Sequence, residues 1–525
     1  MTLKVDKSPG PDGFHPRVLK EAAEELAYPL TILINQTLKE GKLPKIWKDA
    51  TVTPIFKKGK RNTPGNYRPV SLTSIICKMT ESLVRDKVID HMTKYQLLSK
   101  HQHGFVSGRS TSTNLLAVID TWTKALDDLI PVDTIYLDFA KAFDSVPHER
   151  LLNKLEGYGI KGEVLTWIRQ FLHGRRQQVK VNGEPSDWKP VTSGIPQGSV
   201  LGPVLFVIFI NDLPKIVQSL VEMFTDDTKI FLPIHDANSH QIIQNDIHSL
   251  TDWAKKWQLR FNASKCKTLH LGNRNPRHTY RMEDQNGCEI PLESTDLEKD
   301  LGVNIDPSLT FSSHIEGQVN KANRIIGLIR RSYEHLDGDS FRRLFTALIR
   351  PHLEYCNVDW APRLEKDKKL IEGVLRRGTK LIPGLKDLSY EKRLEKLKLP
   401  SMAFRRARGD VIEAYKYTHG LYKTDQILEL DTDKTRRGHS YKLKKRHCKT
   451  ATRRNFFSYR VVNEWNSLSE DVVSAPSLNA FKSRIDRLWS DHVYKIKLPS
   501  PLPHAKTKDL ILKCEPAENS LQATA

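Results

Sequence analysis

Apolar residues recur with helical spacing near the start of the chain and again in its second half, whereas strand-like runs fill the middle. Leu30, Leu33, Ile34 and Leu38 share one face of a predicted amphipathic helix, and Pro29 is expected to start or kink that helix. The later helical segments have the same spacing and lie near 312–335, 339–352 and 365–382.

The middle of the chain contains runs rich in residues that favour strands. Thr51–Phe56 and Tyr67–Leu72 predict the two arms of a hairpin, because the segment 59–65 between them carries the Gly, Asn and Pro of a turn. Thr134–Leu137 predicts a largely buried strand, and this strand ends at Asp138. An isolated Asp at such a position is more often a cap or an ion-pair partner than a metal ligand.

Two adjacent acids, Asp226 and Asp227, interrupt the apolar runs Val221–Phe224 and Ile230–Leu232. This pattern predicts strand, tight turn, strand, with the carboxylates at the tip. Neighbouring carboxylates repel each other, and a cation relieves that repulsion in a partly apolar turn. Mg²⁺ suits hard oxygen ligands of this kind. An ordinary Asp-rich turn is the alternative.

Asp138 gives the chain a second acidic site on a strand, far from the first in sequence. Two such sites suit a centre in which two metal ions, about 3.5–4 Å apart, clamp the attacking and leaving oxygens of a phosphoryl transfer. A third element lies between them in the chain. Gly194, Gly198 and Gly202 let the backbone approach another chain, and Pro203 suits the first turn of the apolar helix that follows. Taken alone, this element favours the simpler interpretation, a Gly/Pro loop before a buried helix.

Composition narrows the class of partner. The chain of 525 residues has 83 Lys and Arg against 62 Asp and Glu, a net charge of +21 and a pI near 9.5, which favours a polyanionic partner over solubility alone. Six scattered cysteines form no CxxC pair, and no signal peptide or bilayer-spanning run is evident. The sequence therefore predicts a reduced intracellular protein of nucleus or cytoplasm, with no membrane contact.

The ordered motifs resemble those of a known enzyme family. Asp138 with Phe143, the segment 194–199, and the segment 224–227 resemble palm motifs A, B and C of reverse transcriptases. The sequence around these motifs resembles the reverse transcriptases of non-LTR (LINE-type) retrotransposons, particularly the jockey-like branch. The resemblance runs from about residue 7 to about residue 490. The supporting segments are 10–13, 54–59, 66–72, 104–105, 108–111 and 301–303.

The resemblance implies an α+β right-hand polymerase fold with fingers, a palm whose antiparallel sheet is backed by helices, a helical thumb and a basic C-terminal region. The reverse transcriptase domain would cover about 38–306. The implied divisions are a helical pre-fingers extension at 1–48, fingers at 49–137, palm at 138–306, thumb at 307–430, basic region at 431–497 and a disordered tail at 498–525.

The implied activity is RNA-directed DNA synthesis, with an RNA template, a DNA primer and dNTPs as partners. Two Mg²⁺ ions would serve as cofactor, with Mn²⁺ as a possible substitute. Asp138 and Asp226 would bind metal directly, the Phe139 carbonyl would add an oxygen, and Asp227 would support the site.

The resemblance also implies residues that contact nucleotide and primer. Lys57 (or Lys58) and Arg68 would hold the triphosphate, because ammonium and guanidinium both pair with phosphate oxygens. Phe143 would exclude a 2′-hydroxyl, with a core aromatic as the alternative. The remaining implied contacts are Gln197 and Gly198 at the new base pair, Lys265 as a proton donor to pyrophosphate, and Leu301, Gly302 and Val303 as a primer grip.

The segment 434–460 is rich in Lys and Arg, lacks acids and contains aromatic residues, so we expect it to contact template or primer. The alternative is a solvated basic surface whose aromatics pack into the core. The chain departs from the family at Thr225, where a small residue is usual, and at Val106, where a basic residue is frequent. We also expect the chain to lack the endonuclease that full-length relatives carry upstream of the polymerase. A catalytically silent nucleic-acid binder and a two-metal nuclease are the competing hypotheses.

Overall fold

The computed structural model describes residues 3–432 and 438–490. Contacts between residues divide them into two compact units. The first unit comprises 3–311, 358–361, 413–432 and 438–467. The second unit comprises 312–357, 362–412 and 468–490. The expected disordered tail, 498–525, and part of the expected basic region lie outside the described residues.

The strands of the described residues lie between Asp49 and Ile305, all within the first unit. They are numbered along the chain as β1 (Asp49–Phe56), β2 (Tyr67–Leu72), β3 (Val132–Leu137), β4 (Arg175–Val181), β5 (Glu184–Pro185), β6 (Lys189–Val191), β7 (Leu220–Phe224), β8 (Asp227–Pro233), β9 (Lys267–Leu271), β10 (Arg281–Glu283), β11 (Glu289–Pro291), β12 (Glu293–Thr295), β13 (Glu298–Asp300) and β14 (Val303–Ile305).

Helices occur in both units. They are α1 (Pro16–Glu21), α2 (Ala23–Glu40), α3 (Lys45–Lys48), α4 (Ile75–Lys94), α5 (Thr111–Asp127), α6 (Ala142–Ser145), α7 (His148–Gly157), α8 (Gly162–Leu172), α9 (Gly202–Phe209), α10 (Ala237–Trp257), α11 (Ser312–Ser332), α12 (Gly338–Leu344), α13 (Arg350–Glu354), α14 (Glu365–Thr379), α15 (Tyr390–Leu397), α16 (Met402–Thr418), α17 (Ala451–Asn455), α18 (Phe457–Asn466), α19 (Glu470–Val473) and α20 (Leu478–Leu488). Short 3₁₀ turns form at Pro64–Asn66 and Leu213–Ile216, and a π-helical turn forms at Phe345–Ile349.

The central sheet of the first unit has five strands in the order β12-β9-β3-β8-β7. Strand β3 is antiparallel to both β8 and β9, so it lies in the middle of the sheet. A second sheet orders its strands β2-β1-β4-β5, with β6 also paired to β4. The hairpin β13-β14 pairs with neither sheet through its strands.

The two faces of the central sheet have different neighbours. Ile135 and Ile230 are paired residues on one face, and both belong to a buried core that includes Phe206 of α9 and Ile247 of α10. Successive side chains of a strand point to opposite faces, so Thr134 and its partner Phe231 face the other side. There Phe231 meets Trp122 of α5, with ring centroids 6.1 Å apart.

The second unit is helical. Helix α11 packs against α13 and α14, and buried residues such as Ile326, Val374 and Phe341 form its interior. The buried Glu372 carboxylate accepts hydrogen bonds from the Tyr390 hydroxyl at 2.5 Å and from the Met402 backbone N–H at 3.1 Å. This bond network joins α14, α15 and the start of α16.

Most of the element predictions are confirmed. The first hairpin pairs Thr51 with Leu72 and Phe56 with Tyr67, the predicted arms. Helices also form within the segments predicted from 312 to 382. The prediction that Pro29 starts a helix was wrong, because α2 begins at Ala23. Acidic residues fill the first turn of that helix and favour an earlier start. Within the described residues, no helix has both the length and the apolar character that a bilayer crossing requires.

Candidate active site

The paired acids lie at the tip of the β7-β8 hairpin. Phe224 pairs with Asp227, so Thr225 and Asp226 alone form the turn. Thr225 has φ 60°, a left-handed conformation that a β-branched residue rarely adopts. The two-residue turn with a positive φ at its first position normally takes glycine there. The sequence pattern thus predicted the turn correctly. The positive φ of Thr225 strains the backbone at this acidic tip.

A neighbouring segment holds this tip in place. Gln102 and Met223 form a parallel bridge, and the Gln102 Oε1 atom accepts a hydrogen bond from the Thr225 backbone N–H at 2.8 Å. The same Oε1 atom accepts a bond from the Gly104 N–H at 2.8 Å. A Cβ atom on Gly104 would lie 2.6 Å from the Thr225 nitrogen, so only glycine allows this close approach.

Asp138 arrives at the same end of the sheet. Leu137, the last residue of β3, pairs with Thr228, so a further step in register brings Asp138 beside Asp227. Both side chains point to the face that carries Phe231, by the alternation of the strands. A cavity of about 200 Å³ is lined by Asp138 and Asp227 together. The structure therefore joins two acidic segments that are far apart in sequence.

Burial and nearby negative charge raise the pKa values of both acids at the tip of the hairpin. Burial and the nearby charge of Asp138 raise the pKa of Asp226 above its usual range. Burial, the adjacent Asp226 and the nearby Asp300 raise the pKa of Asp227 to about 6. The Asp227 side chain is open to solvent on one side while protein surrounds the rest of it. A cation near these groups would relieve the repulsion that raises both pKa values.

Asp138 has a cationic partner in this structure. The Lys265 Nζ atom lies 3.2 Å from Asp138 Oδ2, with both side chains well exposed. The Asp138 carbonyl accepts a hydrogen bond from the Asn262 N–H at 2.7 Å, and the Ala140 N–H donates to the Arg260 carbonyl at 2.8 Å, so Phe139 lies in an isolated antiparallel bridge with Phe261. The Phe139 ring is buried and stacks on Phe261.

The donor set fits a divalent cation by its chemistry. Hard carboxylate oxygens lie at the ends of two neighbouring strands, and burial together with the charge of Asp138 raises the pKa of Asp226, both of which a bound cation would offset. No described group of three or more His, Cys, Asp or Glu side chains has the arrangement of a ready-made metal site. The carboxylates would therefore adjust as a metal binds, and Asp138 would exchange its Lys265 partner for the ion.

The first hairpin brings two cations toward the acids. Lys57 follows β1 directly and Arg68 lies in β2 opposite Ile55. Both side chains are exposed, and the charges of Arg68 and Lys57 lower the pKa of Asp226. The two predicted triphosphate ligands are thus close enough to Asp226 for their charges to act on it.

The glycine-rich loop joins that hairpin to the sheet. The Gln197 carbonyl accepts a hydrogen bond from the Ser71 N–H at 2.7 Å. Gly198 has φ 118°, and a Cβ atom there would lie 2.6 Å from the Ser71 carbonyl oxygen. The Gln197 side chain donates to Asp144 at 3.0 Å. The two predicted nucleotide-pocket residues thus lie against β2, two to three positions from Arg68.

Glu81 of α4 supports the same loop from inside. Its carboxylate is fully buried and accepts hydrogen bonds from the backbone N–H groups of Val200, at 2.6 Å, and Leu201, at 3.0 Å. Burial raises the pKa of Glu81. These bonds satisfy N–H groups just before α9, where helix donors have no partner within the helix.

Phe143 is half-buried beside this loop. Its ring stacks on Phe206 of α9 with centroids 4.6 Å apart, and its carbonyl accepts a bond from the Ile195 N–H at 2.8 Å. The ring therefore has one packed face and one partly accessible side. Its role as a sugar gate stays a prediction.

The predicted primer-grip residues form a tight turn. Leu301 has φ 45° and Gly302 has φ 92°, and they connect β13 to β14. Leu301 lines the same cavity as Asp138, Asp227 and Lys265. Val303 is fully buried, so only the turn itself faces the cavity side.

The basic C-terminal segment differs from the expectation. Phe456 and Phe457 are buried and cannot stack on bases. Arg453 is also buried, and its guanidinium binds Asp120 at 2.8 Å and Thr123 at 2.7 Å. The packed-core alternative therefore holds for these three residues, because α17 and α18 bury their aromatic face. Residues 434–437 of this segment lie outside the described part.

Sequence reasoning missed several residues that shape the site. Gln102 and Glu81 act through backbone N–H groups, and no motif marks them. Lys229 and Asp300 form a buried ion pair beneath the acids. The signal for Lys229 was its place in an apolar strand, on an alternate position where a charge needs a buried partner.

A family comparison agrees with this geometry. Residues 55–305 match the family model described as reverse transcriptase (RNA-dependent DNA polymerase). This range contains every predicted site residue. The α/β architecture of the first unit fits the right-hand polymerase fold of that family.

Curated relatives point to mobile elements. The chain is 30% identical to the probable RNA-directed DNA polymerase from transposon BS of Drosophila melanogaster, over 61% of this chain and 36% of that protein. It is 27% identical to the corresponding X-element protein of the same species, over 72% of this chain and 42% of that protein. It is 30% identical to the polymerase from the mobile element jockey of that species, over 60% of this chain and 35% of that protein. The chain thus spans well under half the length of these relatives.

Among solved structures, apo telomerase from Candida tropicalis aligns with 71% of this chain and 66% of its own, at 11% identity and a TM-score of 0.38.

The order of the motifs along the chain and the position of the acids in the fold are consistent with the match to the family model. Residues 55–305 of this chain match the reverse transcriptase family model, and the chain is similar to RNA-directed DNA polymerases of the transposon BS and of the mobile element jockey.

Proposed function

We propose that this chain is an RNA-directed DNA polymerase that extends a DNA primer on an RNA template with dNTPs. The single observation that carries the proposal is the meeting of Asp138 with Asp226 and Asp227 at one end of the central sheet, within charge range of Lys57 and Arg68. Acids that could bind metal ions, close to cations that could bind phosphate, suit a nucleotidyl transfer.

Asp138 and Asp226 would bind metal directly, with the Phe139 carbonyl as a further oxygen and Asp227 as a supporting charge. Reverse transcriptases generally need divalent metal ions, and we propose two Mg²⁺ ions here, replaceable by Mn²⁺. Bound ions would lower the barrier by stabilising negative charge on the attacking primer oxygen and on the leaving pyrophosphate.

Side chains around the acids would orient the nucleotide. Arg68 would pair with phosphate oxygens in bidentate fashion and Lys57 would act as a point charge. The accessible side of Phe143 would lie beneath the sugar and exclude a 2′-hydroxyl. Gln197 and Gly198 would contact the new base pair. The hydrogen bonds of Gln197 with Ser71 and Asp144, and the close approach of Gly198 to Ser71, support a fixed pocket wall.

Lys265 would act on the leaving pyrophosphate, and the 301–303 turn would act on the primer end. Released from Asp138 when metal binds, the Lys265 ammonium could protonate the leaving pyrophosphate. The Leu301–Gly302 turn would hold the primer end, a proposal supported by Leu301 sharing a cavity with Asp138 and Asp227.

The proposed subdivision assigns fingers to 49–137, palm to 138–306 and thumb to 307–430. The boundary between compact units after Phe311 lies close to the proposed end of the palm, which supports this division. Exposed cations of the basic region, such as Lys445 and Arg446, would contact nucleic acid through phosphate rather than by base stacking.

Primer extension tests the function. Purified protein would be given an RNA template, a DNA primer, dNTPs and Mg²⁺, beside an Asp226→Ala/Asp227→Ala variant and an exposed acidic control, Glu293→Ala. We expect product from wild type and control and none from the double variant. Absence of product from folded wild type that still binds RNA would leave a silent nucleic-acid binder. Degradation of a labelled duplex without dNTPs would indicate a nuclease.

A further inference from the structure

A buried ion pair lies beneath the catalytic tip. The Lys229 ammonium of β8 pairs with the Asp300 carboxylate of β13, and the two side chains are only 4% and 5% exposed. Strands β8 and β13 belong to different sheets and share no ladder of backbone hydrogen bonds. This side-chain contact therefore links two pieces of backbone that the sheets leave unconnected.

The ion pair connects the strand that carries Asp227 with the turn that is proposed to hold the primer end. Lys229 is two residues after Asp227 and points to the same face of the strand. Asp300 directly precedes Leu301, the first residue of the turn between β13 and β14. The cavity that Asp138 and Asp227 line is also lined by Lys229, Asp300 and Leu301. A shift of the pair would move the turn relative to the acids.

Stability alone is a poor reason for charges at this place. Removing two charges from water costs much of what their attraction returns, and well-packed apolar residues often stabilise a core as well. Apolar packing has no preferred direction, whereas an ammonium–carboxylate contact fixes one separation and one register. Tyr136 lines the same cavity as Lys229 and Asp300, and burial and the nearby charge of Asp300 raise its pKa.

We propose that Lys229 and Asp300 are positioning residues, which fix the Leu301–Gly302 turn against the strand of Asp227 and so align the primer end with the acids. This inference rests on the proposed polymerase function and deepens it. Neither residue needs to touch substrate. Their effect would reach the reaction through the placement of the turn.

The chain offers a matched control. Lys267 and Glu293 form another ion pair nearby, but it joins β9 and β12, which already pair with each other in one sheet. A Lys→Met and Glu→Leu change there removes the same chemistry without removing a link between separate backbones.

The test compares Lys229→Met/Asp300→Leu with Lys267→Met/Glu293→Leu. We expect the first variant to stay folded, because apolar side chains replace both charges, and to show at least a tenfold higher KM for primer with a smaller change in the KM for dNTP. Amide exchange of residues 298–305 should be at least tenfold faster than in wild type. The control should match wild type in both measurements.

An unchanged primer KM in a folded Lys229→Met/Asp300→Leu variant would overturn the inference, as would unchanged amide exchange at 298–305. If the double variant does not fold, Asp300→Asn keeps the shape and removes the charge, and the same two readouts apply. Failure of wild type to extend any primer would refute the proposed function instead. In that case amide exchange still reports whether the pair holds the turn, so the two failures are distinguishable.

Discussion

Gln102 holds Thr225 in its left-handed conformation: the buried Gln102 Oε1 atom accepts the Thr225 N–H at 2.8 Å, and Gln102 Nε2 donates to the Thr225 carbonyl at 3.4 Å. With these two bonds the Gln102 side chain pairs with the Thr225 backbone in the way a neighbouring strand would. A side chain far from the motif thus sets the backbone from which Asp226 and Asp227 project.

Replacing Gln102 with Leu should lower kcat while the protein stays folded. The change leaves the N–H groups of Thr225 and Gly104 without an acceptor, at a cost of about 1–3 kcal/mol for each buried group. The turn would then relax and misplace the acids, so we expect kcat for primer extension to fall at least tenfold while circular dichroism stays native. Gln241→Leu, at an exposed helical position, is the control and should keep wild-type kcat. Full activity of Gln102→Leu would show that the turn holds its shape unaided.

Thr225→Gly should not destabilise the protein, although glycine usually does. A non-glycine residue in this region of φ costs about 1–3 kcal/mol, which glycine would recover against a loss of about 0.5–1 kcal/mol in chain entropy. Thr228→Gly, the same change in the adjacent extended strand, should destabilise by at least about 1 kcal/mol, because Thr228 is buried and glycine weakens strands. Urea unfolding of both variants checks the contrast. Equal losses at the two positions would contradict strain at Thr225.

The sequence predicted the parts of the site that depend on neighbours along the chain. Turn residues and alternating apolar runs marked the Thr51–Leu72 hairpin and the acidic tip, and the structure shows both with the predicted arms. Helical spacing likewise marked α11 and α14. These features follow from local periodicity, which a single sequence displays directly.

Contacts between distant segments were not predictable in the same way. Gln102 reaches Thr225, and Lys229 reaches Asp300, across long stretches of chain that only the tertiary fold brings together. Phe456 and Phe457 show the reverse error. Their basic surroundings indicated a nucleic-acid surface, whereas helical packing buries the rings. Composition alone does not say which side of a short helix faces the core.

Glu81 should control nucleotide binding from outside the pocket. Its carboxylate accepts the N–H groups of Val200 and Leu201 and so anchors the loop that carries Gln197 and Gly198. Glu81→Ala leaves both donors without this acceptor, and we expect the KM for dNTP to rise about tenfold or more, in line with about 1–3 kcal/mol per buried group. Glu81→Gln keeps one carbonyl acceptor, so its KM for dNTP should lie between those of wild type and Glu81→Ala.

Steady-state kinetics with dNTP and primer varied separately would test this role. The control is Ser82→Ala, whose hydroxyl bonds only within α4, to Lys78. A rise in primer KM equal to the rise in dNTP KM would contradict a specific effect on the loop, as would an unchanged dNTP KM in a folded Glu81→Ala variant.

Protonation of Glu222, a residue of the β7-β8 hairpin, should lower the free energy of unfolding at acid pH. Its carboxylate lies 2.9 Å from His103 Nε2 and 3.4 Å from His101 Nδ1, on the segment that carries Gln102. Burial opposes ionisation, but hydrogen bonds and charge from the two histidines outweigh it and lower the pKa of Glu222 below its ordinary value of 4.5. The unfolded chain therefore takes up this proton at a higher pH than the folded one. The stabilisation is fully present above pH 4.5 and is lost as the pH falls through the lower, folded pKa.

Urea unfolding of wild type and Glu222→Gln, from about pH 6 down to about pH 3.5, measures this contribution. We expect wild type to be the more stable protein at pH 6, because the variant loses a charge that two histidines bind. The difference in unfolding free energy should shrink as the pH drops below 4.5, since protonation converts the wild-type carboxylate into a neutral acid. A difference that stays constant across this range would mean that Glu222 has the same pKa in both states, and that the histidine contacts do not stabilise its charge.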